Sequence, residues 1–436
     1  MNRPVIPVVG GGLAGCEAAW KLAQAGFSVE LYEMKPRRKS PAHHTDYLAE
    51  LVCSNSLKAD RLSSAAGLLK AEMRLLGSLL LEVAADCAVP AGGALAVDRD
   101  QFARLVTQKI TSHPNIRLFQ QEMTEIPQGP VIIATGPLTS PALSEAIQRR
   151  LGQGYLSFFD AASPIVTAES IDRNIVFDAA RYDRGGADYL NCPMNQEEYE
   201  RFYHALIGAE GVELKDFEQQ EFKVYEGCMP VEALAKRGKD ALRFGPLKPV
   251  GFVDPRTGKR PWAVVQLRQE NREATLYNLV GFQTNLKFPE QKRVFSMIPG
   301  LAQAEFVRYG VMHRNTFLDS PRLLDQTFAL RDDPLTVFAG QITGVEGYME
   351  SAASGLVAAE QLMRRLEGRP LLQLPPETML GALSRYISNE DVVDFQPMGA
   401  NMGLLPPLSH RIKDKLQRYE ALSQRALEAL QKALER

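Results

Sequence analysis

A short apolar strand that runs into Gly-x-Gly-x-x-Gly and then directly into helical spacing leaves few folds open. Val5, Ile6, Pro7, Val8 and Val9 precede Gly10-Gly11-Gly12-Leu13-Ala14-Gly15, and Cys16, Ala19, Leu22 and Ala23 follow at intervals that suit one buried helix face. In such a unit Gly10 permits the tight bend, Gly12 lets a pyrophosphate approach the backbone, and Gly15 lets the helix close on the strand. The open amides and dipole at the helix start favour the anion. Glycine turns also serve purely structural ends, so the next strand matters. It runs from Ser28 to Glu33, and its terminal acid stands where a carboxylate accepts hydrogen bonds from a ribose. The pattern predicts a dinucleotide site built from Gly10, Gly11, Gly12, Leu13, Ala14, Gly15 and Glu33.

A second glycine turn decides which dinucleotide. Leu335 to Ala339 reads as a buried strand, Gly340-Gln341-Ile342-Thr343-Gly344-Val345-Glu346-Gly347 as the turn, and Tyr348 to Ala359 as a helix of small residues. Only the first unit carries the fingerprint, so the two suggest one long ligand rather than two nucleotides. The first turn then holds the pyrophosphate, and the second helix aims its N-terminus at a ring that at times carries negative charge, as a reduced flavin does. FAD is therefore expected as the resident cofactor in preference to NAD. Gly340, Gln341, Gly344, Val345, Glu346, Gly347 and Tyr348 would line its ring end. Gly136, in a strand that ends Ala134-Thr135-Gly136, would allow close approach beside it. Any NADH or NADPH would bind briefly and elsewhere.

At 436 residues the chain is too long for one simple core. Between about 191 and 309 short polar helices alternate with strands, which suits an antiparallel α+β insertion better than further βαβ units. The expected fold is α/β: a Rossmann-like, glutathione-reductase-like FAD-binding domain (1–190 and 310–436) interrupted by an α+β insertion domain (191–309). No apolar run approaches the ~18 residues of a membrane helix, and the N-terminus enters a strand and turn instead of a signal-peptide core; a cytoplasmic protein is expected, with no membrane and no evident obligate protein partner.

The five cysteines are scattered and include no Cys-x-x-Cys pair, which argues against a disulfide framework, a zinc ribbon and a redox dithiol. A functional cysteine would work as a single thiol. The histidines show no metal-ligand spacing, so no metal is expected. The formal charge of −2 announces no nucleic acid, although between Val231 and Trp262 the basic residues Lys236, Arg237, Lys239, Arg243, Lys248, Arg256, Lys259 and Arg260 outweigh Glu232, Asp240 and Asp254. A segment like this meets phosphates or forms a solvated face.

Several longer blocks are more specific than the turns. The runs from Ala49 through Cys53-Ser54-Asn55-Ser56 to Leu57, from Val89 to Arg99, from Asp188 to Met194, from Gly310 to Thr316, from Gly340 to Tyr348 and Phe395-Gln396-Pro397-Met398 resemble the bacterial folate- and FAD-dependent tRNA (uracil-5-)-methyltransferases, the TrmFO family. The related MnmG family resembles the chain in both glycine turns. The resemblance implies methylation of the T-loop uridine at position 54 of tRNA, with carbon from 5,10-methylenetetrahydrofolate and electrons from reduced FAD recharged by NADH or NADPH. It also explains the need for cysteine, because uracil C5 becomes nucleophilic only after a thiolate adds to C6. By resemblance Cys228 is preferred as that nucleophile and Cys53 as its assistant, while Cys16 and Cys87 read as small buried residues. Lys236, Arg237 and Lys239 become candidates for RNA contact, and Lys287, His313 and Arg314 for folate glutamate or RNA. An MnmG-like wobble-uridine modifier, a flavin-containing RNA-binding protein without turnover and a generic FAD oxidoreductase are the alternatives.

Overall fold

The computed structural model describes residues 3–40, 42–152, 155–161, 163–181, 188–212, 229–310, 312–392 and 395–435, with the backbone alone at 155–161 and 312–315. Five parallel strands form the first sheet, in the order Thr336–Phe338, Val131–Ile133, Ile6–Val9, Val29–Glu33 and Ile116–Gln120. The strands Ile6–Val9, Val131–Ile133 and Thr336–Phe338 are rich in β-branched residues and almost wholly buried, as a sheet covered on both faces requires. The C-terminal part of the chain thus returns to the first domain, and its strand pairs with Val131–Ile133.

The helices that follow the two glycine turns, Leu13–Gln24 and Tyr348–Leu366, pack against each other through small residues. A Cβ on Gly355 would lie 2.2 Å from the Ala14 carbonyl oxygen, so this approach requires glycine there. Gly340 sits against the Ala14 methyl group, and its amide donates to Ser354 Oγ at 2.7 Å. The small-residue pattern after Tyr348 therefore brings the two turns side by side.

The second sheet has six antiparallel strands, ordered Phe177–Asp178, Tyr189–Met194, Ala263–Gln269, Leu276–Leu279, Ile165–Thr167 and Phe306–Arg308. It has an apolar core of its own around Cys192, Tyr199, Phe202, Phe282 and Phe295. A boundary between 190 and 191 would divide the strand Tyr189–Met194, and Ile165–Thr167 and Phe177–Asp178 already belong to this sheet. A buried apolar triplet reads alike in either sheet, which is why the earlier strands were not separable from the first domain by pattern. A two-stranded antiparallel ribbon, Tyr155–Ala161 with Met312–Leu318, stands where the chain leaves the first domain and where it returns.

Candidate active site

The first turn has the geometry its glycines imply. Gly10 has φ +104°, and a Cβ there would fall 2.5 Å from the Ala134 carbonyl oxygen; at Gly15 it would fall 1.8 Å from that of Gly10. Gly12 differs, since its missing side chain faces open space with no atom within 4 Å. Leu13 and Ala14 are buried at the start of the helix. The Glu33 carboxylate curls over the turn, accepting from the Gly11 amide at 2.9 Å and the Lys35 amide at 3.0 Å. Each oxygen has a lone pair left, so Glu33 is fixed in orientation and still able to accept from a ribose. Gly10, Gly11, Gly12, Glu33, His43 and Thr139 are among the residues lining one cavity here. Gly136, with φ +67°, opens the turn Gly136–Leu138 beyond its wall.

The second turn is packed. Gly344 is left-handed (φ +82°), and its missing Cβ position is 2.5 Å from the Phe395 ring; that of Gly347 is 2.2 Å from Glu350 Oε2. Gln341 donates to Glu346 at 2.6 Å, and the turn is tied to Met398 through the Glu346 amide and the Gly344 carbonyl, both bonds at 2.9 Å. Val345 is buried. The turn leads into Tyr348, whose hydroxyl oxygen accepts from the Cys53 amide at 2.6 Å and the Ser54 amide at 3.0 Å.

Cys53 is therefore attached to the ring end of the expected cofactor site. The second domain grips the same loop from the other side. Arg268, in Ala263–Gln269, donates to Asn55 Oδ1 at 2.9 Å and Ser54 Oγ at 2.7 Å, and Arg308, in Phe306–Arg308, donates to the Val52 carbonyl. Asn55 is fully buried and donates to the Val97, Gln269 and Glu270 carbonyls. Arg99, at the start of the helix Arg99–Ser112, forms an ion pair with Glu270.

Three guanidiniums thus lie within electrostatic reach of Cys53. Burial lowers the pKa of Arg268 and Arg308, with Arg99 adding to the effect in both. For Arg99 itself burial works the same way, but Glu270 outweighs it with help from Tyr348 and Cys53, and the net shift is upward. Burial also raises the Tyr348 phenol, and the Cys53 thiolate adds to the rise, so the hydroxyl stays neutral in its accepting role. A loop held between cations is suited to stabilising a thiolate.

The other cysteines divide as chemistry would have them. Cys16 and Cys192 are wholly buried and burial pushes both thiols up, while Cys87, also buried, is pushed up to about 12. Cys228 lies outside the described residues. His313 and Arg314 fall in the strand Met312–Leu318, of which the backbone is described at those positions. Lys236, Arg237 and Lys239 are exposed, with Lys239 paired to Glu200 at 2.7 Å; Lys287 is paired to Glu210 at 2.8 Å. Sequence reasoning missed Arg99, Arg268, Glu270 and Arg308. The signal available was an arginine, Arg268, directly after the apolar residues Val264, Val265 and Leu267 of one strand.

Residues 5–370 match the protein family described as Glucose inhibited division protein A. The chain is 59% identical over 431 residues to a protein of Brevibacillus brevis named methylenetetrahydrofolate--tRNA-(uracil-5-)-methyltransferase TrmFO, covering 99% of this chain and 98% of that one. A protein of the same name from Heliobacterium modesticaldum is 60% identical over 428 residues, covering 98% and 97%. Among solved structures, Aquifex aeolicus GidA superposes with a TM-score of 0.70 at 15% identity over 98% of this chain and 73% of that one, and in a second crystal form with a TM-score of 0.68 at 16% identity over 99% and 78%.

Proposed function

Because the chain belongs to the Glucose inhibited division protein A family and matches relatives named TrmFO along nearly its full length, we propose that it methylates C5 of a tRNA uridine with carbon from methylenetetrahydrofolate. The uridine is position 54 in the T-loop, the reductant is reduced FAD, and NADH or NADPH recharges the flavin in the cytoplasm. The observation that carries this reading is the attachment of the Cys53 and Ser54 amides to the Tyr348 hydroxyl, at the helix that follows the second turn.

The residues present fit FAD. Gly12 leaves one side of the first turn open, Glu33 is held with lone pairs to spare, and the two turns meet along Ala14, Gly340 and Gly355. When bound and reduced by NADH or NADPH, FAD would supply the two electrons that reduce the transferred one-carbon unit to a methyl group. The chain's own contribution is the thiols and their setting. Cys228 adds to uracil C6, makes C5 nucleophilic and is expelled from C6 when the C5 proton is removed; Cys53 assists in removing that proton; Arg268 and Arg308 hold the Cys53 loop and, with Arg99 nearby, favour its anionic form. Lys236, Arg237 and Lys239, with the exposed Phe244 and with Arg243 lying 3.7 Å over the Trp262 ring, offer phosphate contacts and a stacking surface to RNA. Lys287, His313 and Arg314 serve folate or RNA.

The test is incubation of flavin-loaded protein with unmodified tRNA, labelled methylenetetrahydrofolate and NADPH. Label should appear as 5-methyluridine at position 54. A loaded protein that reduces its flavin and leaves the tRNA unlabelled overturns the reading, and label at the wobble position would substitute the MnmG-like one.

A further inference from the structure

We propose that Glu270, flanked by Arg99 and Arg308, reads the imide edge of the target uracil and so selects uridine over cytidine. The inference rests on the proposed tRNA uridine substrate and goes beyond it by naming the groups that recognise the base.

Glu270 is 3% exposed, and neither of its carboxylate oxygens makes a hydrogen bond among the described residues. Glu270 is in direct contact with Arg99 as an ion pair; beyond that pair, Arg99 Nε and Nη1 and Arg308 Nε have no acceptor among the described residues. Buried charged groups with hydrogen-bonding capacity left over are costly, and a ligand edge that uses that capacity would lower the cost. These three residues line a cavity of about 720 Å³, lined also by His44, Tyr47 and Asp98.

These residues adjoin the loop that carries the thiol. The Glu270 carbonyl accepts from Asn55 Nδ2 at 3.2 Å, and Arg308 donates to the Val52 carbonyl, so both flank the loop that carries Cys53. A guanidinium, a carboxylate and a guanidinium present donor, acceptor, donor. The edge of uracil from O4 through N3–H to O2 presents acceptor, donor, acceptor. Cytosine sets a lone pair at N3 against the carboxylate and an amino group against an arginine. N3 also lies across the ring from C6, so a carboxylate at N3 leaves the reacting C5–C6 edge uncovered. A base drawn out of the T-loop needs such a pocket to replace its lost pairing and stacking.

A flavin and a pterin carry a related edge, so the test separates them. In Glu270→Gln holoenzyme, FAD content and the KM for methylenetetrahydrofolate should stay within about twofold of the original protein, while kcat/KM for T-loop RNA falls at least about a hundredfold. The preference for RNA with uridine over RNA with cytidine at the target, read by competition binding, should fall at least about tenfold. Loss of FAD, a raised folate KM or an unaltered preference overturns the proposal. If the variant does not fold, the original protein serves: RNA with N3-methyluridine at the target should bind at least about tenfold more weakly than RNA with uridine, and equal binding overturns the proposal. These binding measurements need no turnover, so absence of 5-methyluridine would count against the proposed reaction and leave the base-reading result to stand or fall by itself.

Discussion

The two glycine turns look alike in sequence and use glycine for opposite purposes. In the first, Gly10 and Gly15 allow backbone to touch backbone, and Gly12 then leaves a gap that protein does not fill. In the second, the spaces at Gly344 and Gly347 are occupied, by the Phe395 ring and by Glu350 with Lys58. One turn makes room for a ligand. The other is a rigid bracket whose product is the position of Tyr348, and through it of Cys53. Glycine content alone therefore does not distinguish a cradle from a mount; what lies at the missing Cβ does.

The sharpest way to break this contrast is within the first turn. Gly15→Ala sets a methyl 1.8 Å from a carbonyl oxygen on the buried side and should cost about 3 kcal/mol or more, read as a fall in denaturation midpoint of the flavin-free protein. Gly12→Ala should alter that midpoint by less than about 1 kcal/mol and yet weaken FAD at least about tenfold in a titration, because its methyl occupies the open side. Equal stability losses in the two variants would abolish the distinction.

Within the second turn the effect should appear in chemistry more than in binding. Tyr348→Phe removes the oxygen that accepts from both the Cys53 and Ser54 amides. Leaving those donors unsatisfied costs about 1–3 kcal/mol each, which frees the loop. Methylation should drop about a hundredfold with FAD retained, and iodoacetamide should modify Cys53 faster. Arg268→Met acts on the same loop from the second domain through Ser54 and Asn55, and since Arg308 and Tyr348 still hold it, a fall of about tenfold is expected in the same assay. A variant that loses FAD first would make Tyr348 part of the cradle after all.

This division tracks what the chain discloses before folding. The first turn was legible because strand, bend and helix are contiguous, and each glycine answers to a local geometric need. The second was legible as a turn, and the block around Cys53 as a family mark, but not their attachment, since Tyr348 and Cys53 are joined by a tertiary hydrogen bond across most of the chain. The arginine clamp is harder still. Arg99, Arg268 and Arg308 come from a helix start and from two strands that are not neighbours in their sheet, so only the register of that sheet tells which arginine faces the loop. The start of the second domain was blurred for the same reason, since Ile165–Thr167 pairs with Leu276–Leu279 and Phe306–Arg308, both far along the chain.

The smallest expected effect concerns how the helix after each turn is anchored. At the second turn, Glu350 is paired with Lys58 at 2.8 Å. At the first, Glu17 reaches from the helix Leu13–Gln24 to the start of the helix Leu79–Asp86, accepting from the Leu79 amide at 3.0 Å and the Leu80 amide at 3.2 Å, and from the Ser78 hydroxyl. Among the described residues no ammonium forms an ion pair with it, Lys21 acting only at longer range, and burial raises its pKa to about 7 despite these bonds. The folded value lies above the ordinary value near 4.5, so the folded state holds the proton more tightly than the unfolded chain does. Its contribution is complete below about pH 4.5 and is lost as pH rises through about 7. Glu17→Gln cannot titrate and should lack that slope, so the gap in melting temperature between the original protein and the variant should narrow from pH 5 to pH 8. Glu350→Gln is the control at the second turn, where loss of the Lys58 partner should lower the melting temperature. Parallel curves for Glu17→Gln and the original protein would mean that the first helix is anchored by an ordinary exposed-type carboxylate, and the two turns would differ in their glycines alone.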